Sequence, residues 1–159
     1  MRLQPHLSFA ACVGAPALLA VLLGGCAWVP DRQPGLQRLS QFAPSAQGHA
    51  SIGADGRDRM FVVWDSRRQQ GGHYGVMGRF VHADGTPASD EITVNTTIDD
   101  HQMHPALAMA QDGSAWVVWQ SWLQDGDGWG VVGRFFDGDS WSEELALNER
   151  RVGHQQQPV

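Results

Sequence analysis

Phe61-Val62-Val63-Trp64-Asp65-Ser66 returns as Trp116-Val117-Val118-Trp119-Gln120-Ser121, at an offset of 55 residues. Working outward, Tyr74-Gly75-Val76-Met77-Gly78-Arg79-Phe80 returns as Trp129-Gly130-Val131-Val132-Gly133-Arg134-Phe135 at the same offset. Glu91-Ile92-Thr93-Val94-Asn95 returns as Glu144-Leu145-Ala146-Leu147-Asn148, with the offset shortened to 53. The two missing residues fall in the turn between Phe136 and Glu144. His101-Gln102 followed by Pro105 returns as His154-Gln155 followed by Pro158, again at 53. Order, spacing and rare residue types are kept together, so the same unit is written twice. A period of about 50 residues marks a repeat architecture of the propeller kind.

Each unit reads as four strands. In the second copy these cover residues 106–110, 115–122, 129–136 and 143–148. Asp112-Gly113, the Asp125–Gly128 run and Asp137-Gly138-Asp139 supply the turns. The first copy maps to residues 50–54, 60–66, 74–81 and 91–95. Alternate residues of a strand point to opposite sides. Met60, Val62 and Trp64 therefore share one face, and Phe61 and Val63 the other. Both faces are apolar, so the sheet is expected to be covered on both sides. The fold class is all-β: two four-stranded antiparallel propeller-blade-like repeats plus the start of a third. Gly75, Gly78, Gly130 and Gly133 interrupt strands, which predicts close approach of a Trp ring or a neighbouring sheet. Arg79 and Arg134 lie mid-strand and are expected to bind loop carbonyls, Asp65 or Gln120.

The chain begins with Met1-Arg2 and an almost wholly apolar run from Leu7 to Leu23, which reads as an export signal helix. An ordinary export signal that releases a soluble chain and a simple membrane-spanning anchor of about 17 residues are the competing readings. The run ends in Leu23-Gly24-Gly25-Cys26-Ala27. This resembles the bacterial lipobox, with Gly24 where Ala or Ser is commoner. The resemblance implies a diacylglycerol on the Cys26 thiol and cleavage before it. In a Gram-negative cell, Ala27 after the lipidated cysteine implies passage to the outer membrane. Cys12 lies inside the apolar run, so the mature chain keeps no other thiol for a disulfide, metal or nucleophile. The expected division is 1–25 signal, 26–46 Pro- and Gln-containing tether, 47–100 first repeat, 101–152 second repeat and 153–159 the start of a truncated third. Val29 and Phe42 are tether residues that could still pack on the folded part.

Val117-Val118-Trp119-Gln120-Ser121, Asp125-Gly126-Asp127-Gly128-Trp129-Gly130-Val131 and Gly133-Arg134-Phe135-Phe136-Asp137 resemble a repeat found in many copies in large secreted bacterial proteins. The resemblance covers about residues 46–159. It implies a propeller-like β array and no particular activity. His101 stands where that pattern has Asp, and Gly-Arg-Phe lacks its usual intervening residue. Two repeats and a stub cannot close a ring. Truncation, assembly of several copies, or a compact pair of sheets are the three ways out, the first two ranked higher.

The net charge is −6 and Lys is absent, which gives no electrostatic ground for nucleic-acid binding. His101-x-x-His104 lies beside Asp99 and Asp100, with His49 at the position equivalent to His104. Residues three apart on a strand face opposite ways, so no metal site is expected. Asp125-Gly126-Asp127-Gly128 lacks the later ligands of a calcium loop. No nucleophile–base pair stands out, so no catalytic residue and no cofactor are expected. Trp122, Trp129 and Trp141 are the candidate ligand-facing aromatics near one loop cluster. The resulting expectation is a lipid-anchored envelope protein with a non-catalytic binding or scaffolding module. Its partners are the membrane, a second copy, or a protein or glycan. The second reading is a remnant or subunit of a glycan-active propeller enzyme.

Overall fold

The computed structural model describes residues 37–124, 126–149, 153–156 and 158. The expected signal helix and Cys26 lie outside the described residues. Among the described residues there are eight strands and no helix long and apolar enough to cross a membrane. The strands are β1 (Gln47–Ala54), β2 (Arg59–Arg67), β3 (Tyr74–His82) and β4 (Ile92–Thr93), then β5 (Gln102–Met109), β6 (Ala115–Trp122), β7 (Trp129–Phe136) and β8 (Leu145–Ala146). They form two antiparallel sheets of four, ordered β1-β2-β3-β4 and β5-β6-β7-β8.

The all-β reading and the two four-stranded sheets follow the sequence pattern. β6 and β7 have the bounds that the alternation gave. The first strand of each sheet is longer than expected, because β5 begins at Gln102 and runs through Pro105. Proline survives there because the ladder is already broken. A register shift lies between Met103 and Ala106, and another at the equivalent place between Gly48 and Ser51. The fourth strands shrink to two residues each.

The repeat extends to the register. Phe61 faces Gly53 and Phe80, as Trp116 faces Ala108 and Phe135. The sheets stack so that one face of the first covers one face of the second. Phe61, Val63, Val76 and Val94 meet Val117, Trp119 and Val132 in this layer, and all are buried. Burying one such side chain is worth roughly 1.5–3 kcal/mol. β1 crosses β5 closely: a Cβ on Gly53 would lie 2.7 Å from that of Met109. Backbone bonds stitch the sheets, from Gly56 N to Gln111 O (3.1 Å), and Leu107 N donates to Ser51 Oγ (3.2 Å).

Residues 39–42, expected within the tether, dock on the first sheet. Leu39 is buried against Val62, Trp64, Met77 and Val81. The docking copies the join between the sheets. Arg79 donates to Ser89 O and Leu39 O, while Arg134 donates to Ser142 O and Val94 O. Glu91 accepts from Gln41 N and Gln69 Nε2, while Glu144 accepts from Thr96 N and Gln124 Nε2. Leu39 and Gln41 thus stand to the first sheet as Val94 and Thr96 stand to the second. Residues 39–42 play the part of the tail of a preceding unit. Both guanidiniums bind loop carbonyls, as expected, and neither reaches Asp65 or Gln120.

The glycine expectation needs one correction. At Gly75, Gly78 and Gly133 the nearest atoms belong to no Trp ring. A Cβ on Gly78 would meet the Phe61 ring of its own sheet at 2.5 Å, and one on Gly133 would meet Leu147 and Val118.

Candidate functional site

The outer face of the second sheet is the first candidate. Trp116, Val118, Val131 and Phe135 lie on it, with Leu145 and Leu147 beside them. Alternation puts them opposite the buried Val117 and Trp119. Trp116 is 38% exposed, Leu145 45% and Leu147 43%, whereas Phe61, the equivalent of Trp116, is 0% exposed. The Trp116 and Phe135 rings lie 5.3 Å apart, in the place of the Phe61–Phe80 stack at 4.4 Å. Ala108, Met109, Ala110, Ser114 and Ala115 border a shallow hollow beside these rings. The expectation that both faces of a sheet are covered holds for the first sheet and fails for this face of the second.

The three tryptophans singled out by sequence do not form one cluster. Trp122 and Trp129 stack edge to face at 5.2 Å, and the His154 ring lies 5.8 Å from Trp122. Trp141 bridges to Phe136, at the far end of β7 from Trp129. Seven residue steps separate those ends, about 23 Å of strand. There Trp141 packs on Phe61 and Phe136 and lies under the Arg134 guanidinium. It closes the seam between the sheets. His101 packs on Tyr74 as His154 packs beside Trp129, so these contacts too recur with the repeat.

Toward the Tyr74 and Trp129 end, the seam between the sheets gathers His49, Asp65 and His104. His49 and His104 sit at the two equivalent bulges, with φ of 48° and 52°. That left-handed backbone is uncommon outside glycine and turns each imidazole out of the strand's regular alternation. His49 Nδ1 donates to Asp65 Oδ2 at 2.7 Å, and His104 N donates to the same oxygen at 3.1 Å. The His104 Nδ1–H donates to Gln120 Oε1 at 3.1 Å. The two rings meet edge to face with centroids 3.9 Å apart. Asp65 is 1% exposed and the His49 side chain 55%. Spacing along the chain did not announce this group, because it forms across two sheets. The shared 55-residue offset of His49/His104 and Asp65/Gln120 was its available signal.

Other carboxylates serve turns and joins. Hydrogen bonds from Ser114 hold Asp112 below its ordinary value, and those from Ser140 and Asp139 do so for Asp137. Burial pushes Glu144 up, but bonds from Thr97, Thr96 and Gln124 outweigh it and leave the carboxyl below its usual range. Asp127, from the calcium-like run, accepts from Gly153 N at 3.1 Å. No family model, curated protein or solved structure matches the chain.

Proposed function

We propose that this is a lipid-anchored cell-envelope protein whose folded part is a non-catalytic binding and scaffolding module, built from two consecutive units of a propeller-type array. The anchor rests on Leu23-Gly24-Gly25-Cys26. The module rests on one observation: the second sheet exposes Trp116, Leu145 and Leu147 on the face whose counterpart in the first sheet buries Phe61 and Val94 completely and Ile92 in part. An apolar face repeated from a stacking unit is made to be covered.

The occupant proposed is a second copy of this chain, outer face against outer face. Head-to-tail stacking would need the Trp64 face of the first sheet, and Leu39 already packs there. Ala108 also carries a Cβ where Gly53 allows its neighbour's close approach. A self-complementary contact about a two-fold axis meets neither obstacle.

Sedimentation equilibrium of the purified chain tests this. Wild type is expected to be a dimer, and Trp116→Glu a folded monomer with an unchanged far-ultraviolet spectrum. A wild-type monomer at all concentrations contradicts the self-association. The anchor is tested by metabolic labelling with an alkyne fatty acid. Label is expected on wild type and absent from Cys26→Ala, and an unlabelled wild type contradicts it.

A further inference from the structure

We infer that His49, Asp65 and His104 form a binding site for a borderline divalent cation such as zinc, set in the seam between the two sheets. The donor atoms of the three side chains lie within 4.8 Å of one another. A tetrahedral zinc with bonds of about 2.0–2.1 Å needs its ligand atoms about 3.3 Å apart. The 2.7 Å contact between His49 and Asp65 therefore opens slightly, and no pair has to close by more than about 1.5 Å. His49 is free to make that swing because more than half of its side chain is exposed.

The chemistry of each donor suits the role. Asp65 is an almost wholly buried carboxylate whose contacts are His49 Nδ1 and the His104 amide, with no arginine in ion-pair contact. A buried carboxylate with no arginine beside it is costly, and a bound divalent ion supplies positive charge at close range. The His104 Nδ1–H is held by Gln120 Oε1, which leaves Nε2 as the ring nitrogen that would face a metal. That is how carbonyl groups orient metal-ligating imidazoles. Two imidazoles and one carboxylate with room for a further ligand favour zinc, nickel, copper or cobalt over calcium or magnesium.

The site does not follow from the repeat alone. The bulged histidines recur, but Asp65 is replaced in the second unit by the neutral Gln120. The seam thus has one anionic site, between two units, with ligands from β1, β2 and β5. A cation bound there ties the sheets together, so its binding raises the stability of the whole fold.

The test uses the full chain, free of any polyhistidine tag and stripped with chelator. Isothermal titration with zinc is expected to show one site per chain and a higher thermal midpoint on saturation. Cobalt is expected to give the visible absorption of a tetrahedral site. Asp65→Asn and His104→Gln are each expected to weaken zinc by at least about tenfold and to abolish the cobalt band. His73→Gln and His101→Gln, at the neighbouring ring pair 5.0 Å apart, are expected to change neither. A variant's far-ultraviolet spectrum establishes that it is folded before it is titrated. No zinc uptake overturns the inference. So does binding that survives Asp65→Asn, or that disappears with His73→Gln or His101→Gln; the cation would then sit elsewhere, and the Asp65–His49 pair would be a hydrogen bond alone.

Discussion

The two sheets are near copies in sequence and register, yet they live in different surroundings. The first is packed on both sides: Leu39 covers the centre of its Val62–Trp64 face, leaving Ile52 exposed at the β1 edge, and the second sheet packs on its Phe61–Val63 face. The second sheet is covered only on the Val117–Trp119 side. One motif is therefore a full core in one copy and half a core in the other. Burial is a property of what stacks on a strand, and the strand's own sequence sets only which face asks to be covered.

The sharpest way to break that comparison is to truncate equivalent side chains. Phe61→Ala removes a fully buried ring from the layer between the sheets and is expected to cost about 3–5 kcal/mol. Trp116→Ala removes its partly exposed counterpart and is expected to cost about 1 kcal/mol or less in the monomer. Denaturant unfolding at a protein concentration that keeps the chain monomeric measures both. Equal costs would mean that the two faces are equally covered.

A smaller difference separates the two buried indoles. Trp119 Nε1 donates to Gln102 Oε1 at 2.9 Å, whereas the buried Trp64 Nε1 has no such partner. Gln47, the counterpart of Gln102, instead donates its amide to Phe42 O. Both Trp→Phe changes lose similar ring area, but only Trp119→Phe strands a buried carbonyl. It is expected to be more destabilising than Trp64→Phe by about 1–2 kcal/mol. The same unfolding assay reads the difference, and equal costs would contradict the asymmetry.

The smallest effect concerns Glu144, which joins the second sheet to Thr96 and Thr97. Its carboxyl titrates lower in the folded chain than in the unfolded one. The stability it adds is thus present above the unfolded pKa and lost as pH falls through the folded one. Glu144→Gln is expected to flatten the acid limb of a stability–pH profile and leave its shape near neutrality unchanged. An unaltered acid limb would remove Glu144 from the account.

Much of this was legible in the sequence because strand alternation and the 55-residue echo are local or periodic signals. They placed β6 and β7 to the residue, and they gave Arg79 and Arg134 loop carbonyls, Asp65 or Gln120 as partners, of which the carbonyls are the ones bound. Four things were not legible. Residues 39–42 carry little of the repeat's side-chain signature, since Ser40 stands where the later copies have Asn95 and Asn148, so their docking shows only as backbone geometry. Pro105 inside β5 depends on a bulge that alternation does not encode. The His49–Asp65–His104 group depends on stacking, which brings together residues 16 and 39 positions apart. Trp122, Trp129 and Trp141 share residue type and flanking turns, but the length of β7 separates Trp141 from the other two.

The central claim is that Phe61 and Trp116 occupy the same place in two copies of one sheet, and that only the first is covered within the chain. Hydroxyl-radical footprinting across a protein dilution series measures this directly. The account predicts that Phe61 stays protected throughout, while Trp116 is oxidised in dilute solution and becomes protected as the concentration rises. Equal protection of the two rings at every concentration would contradict it.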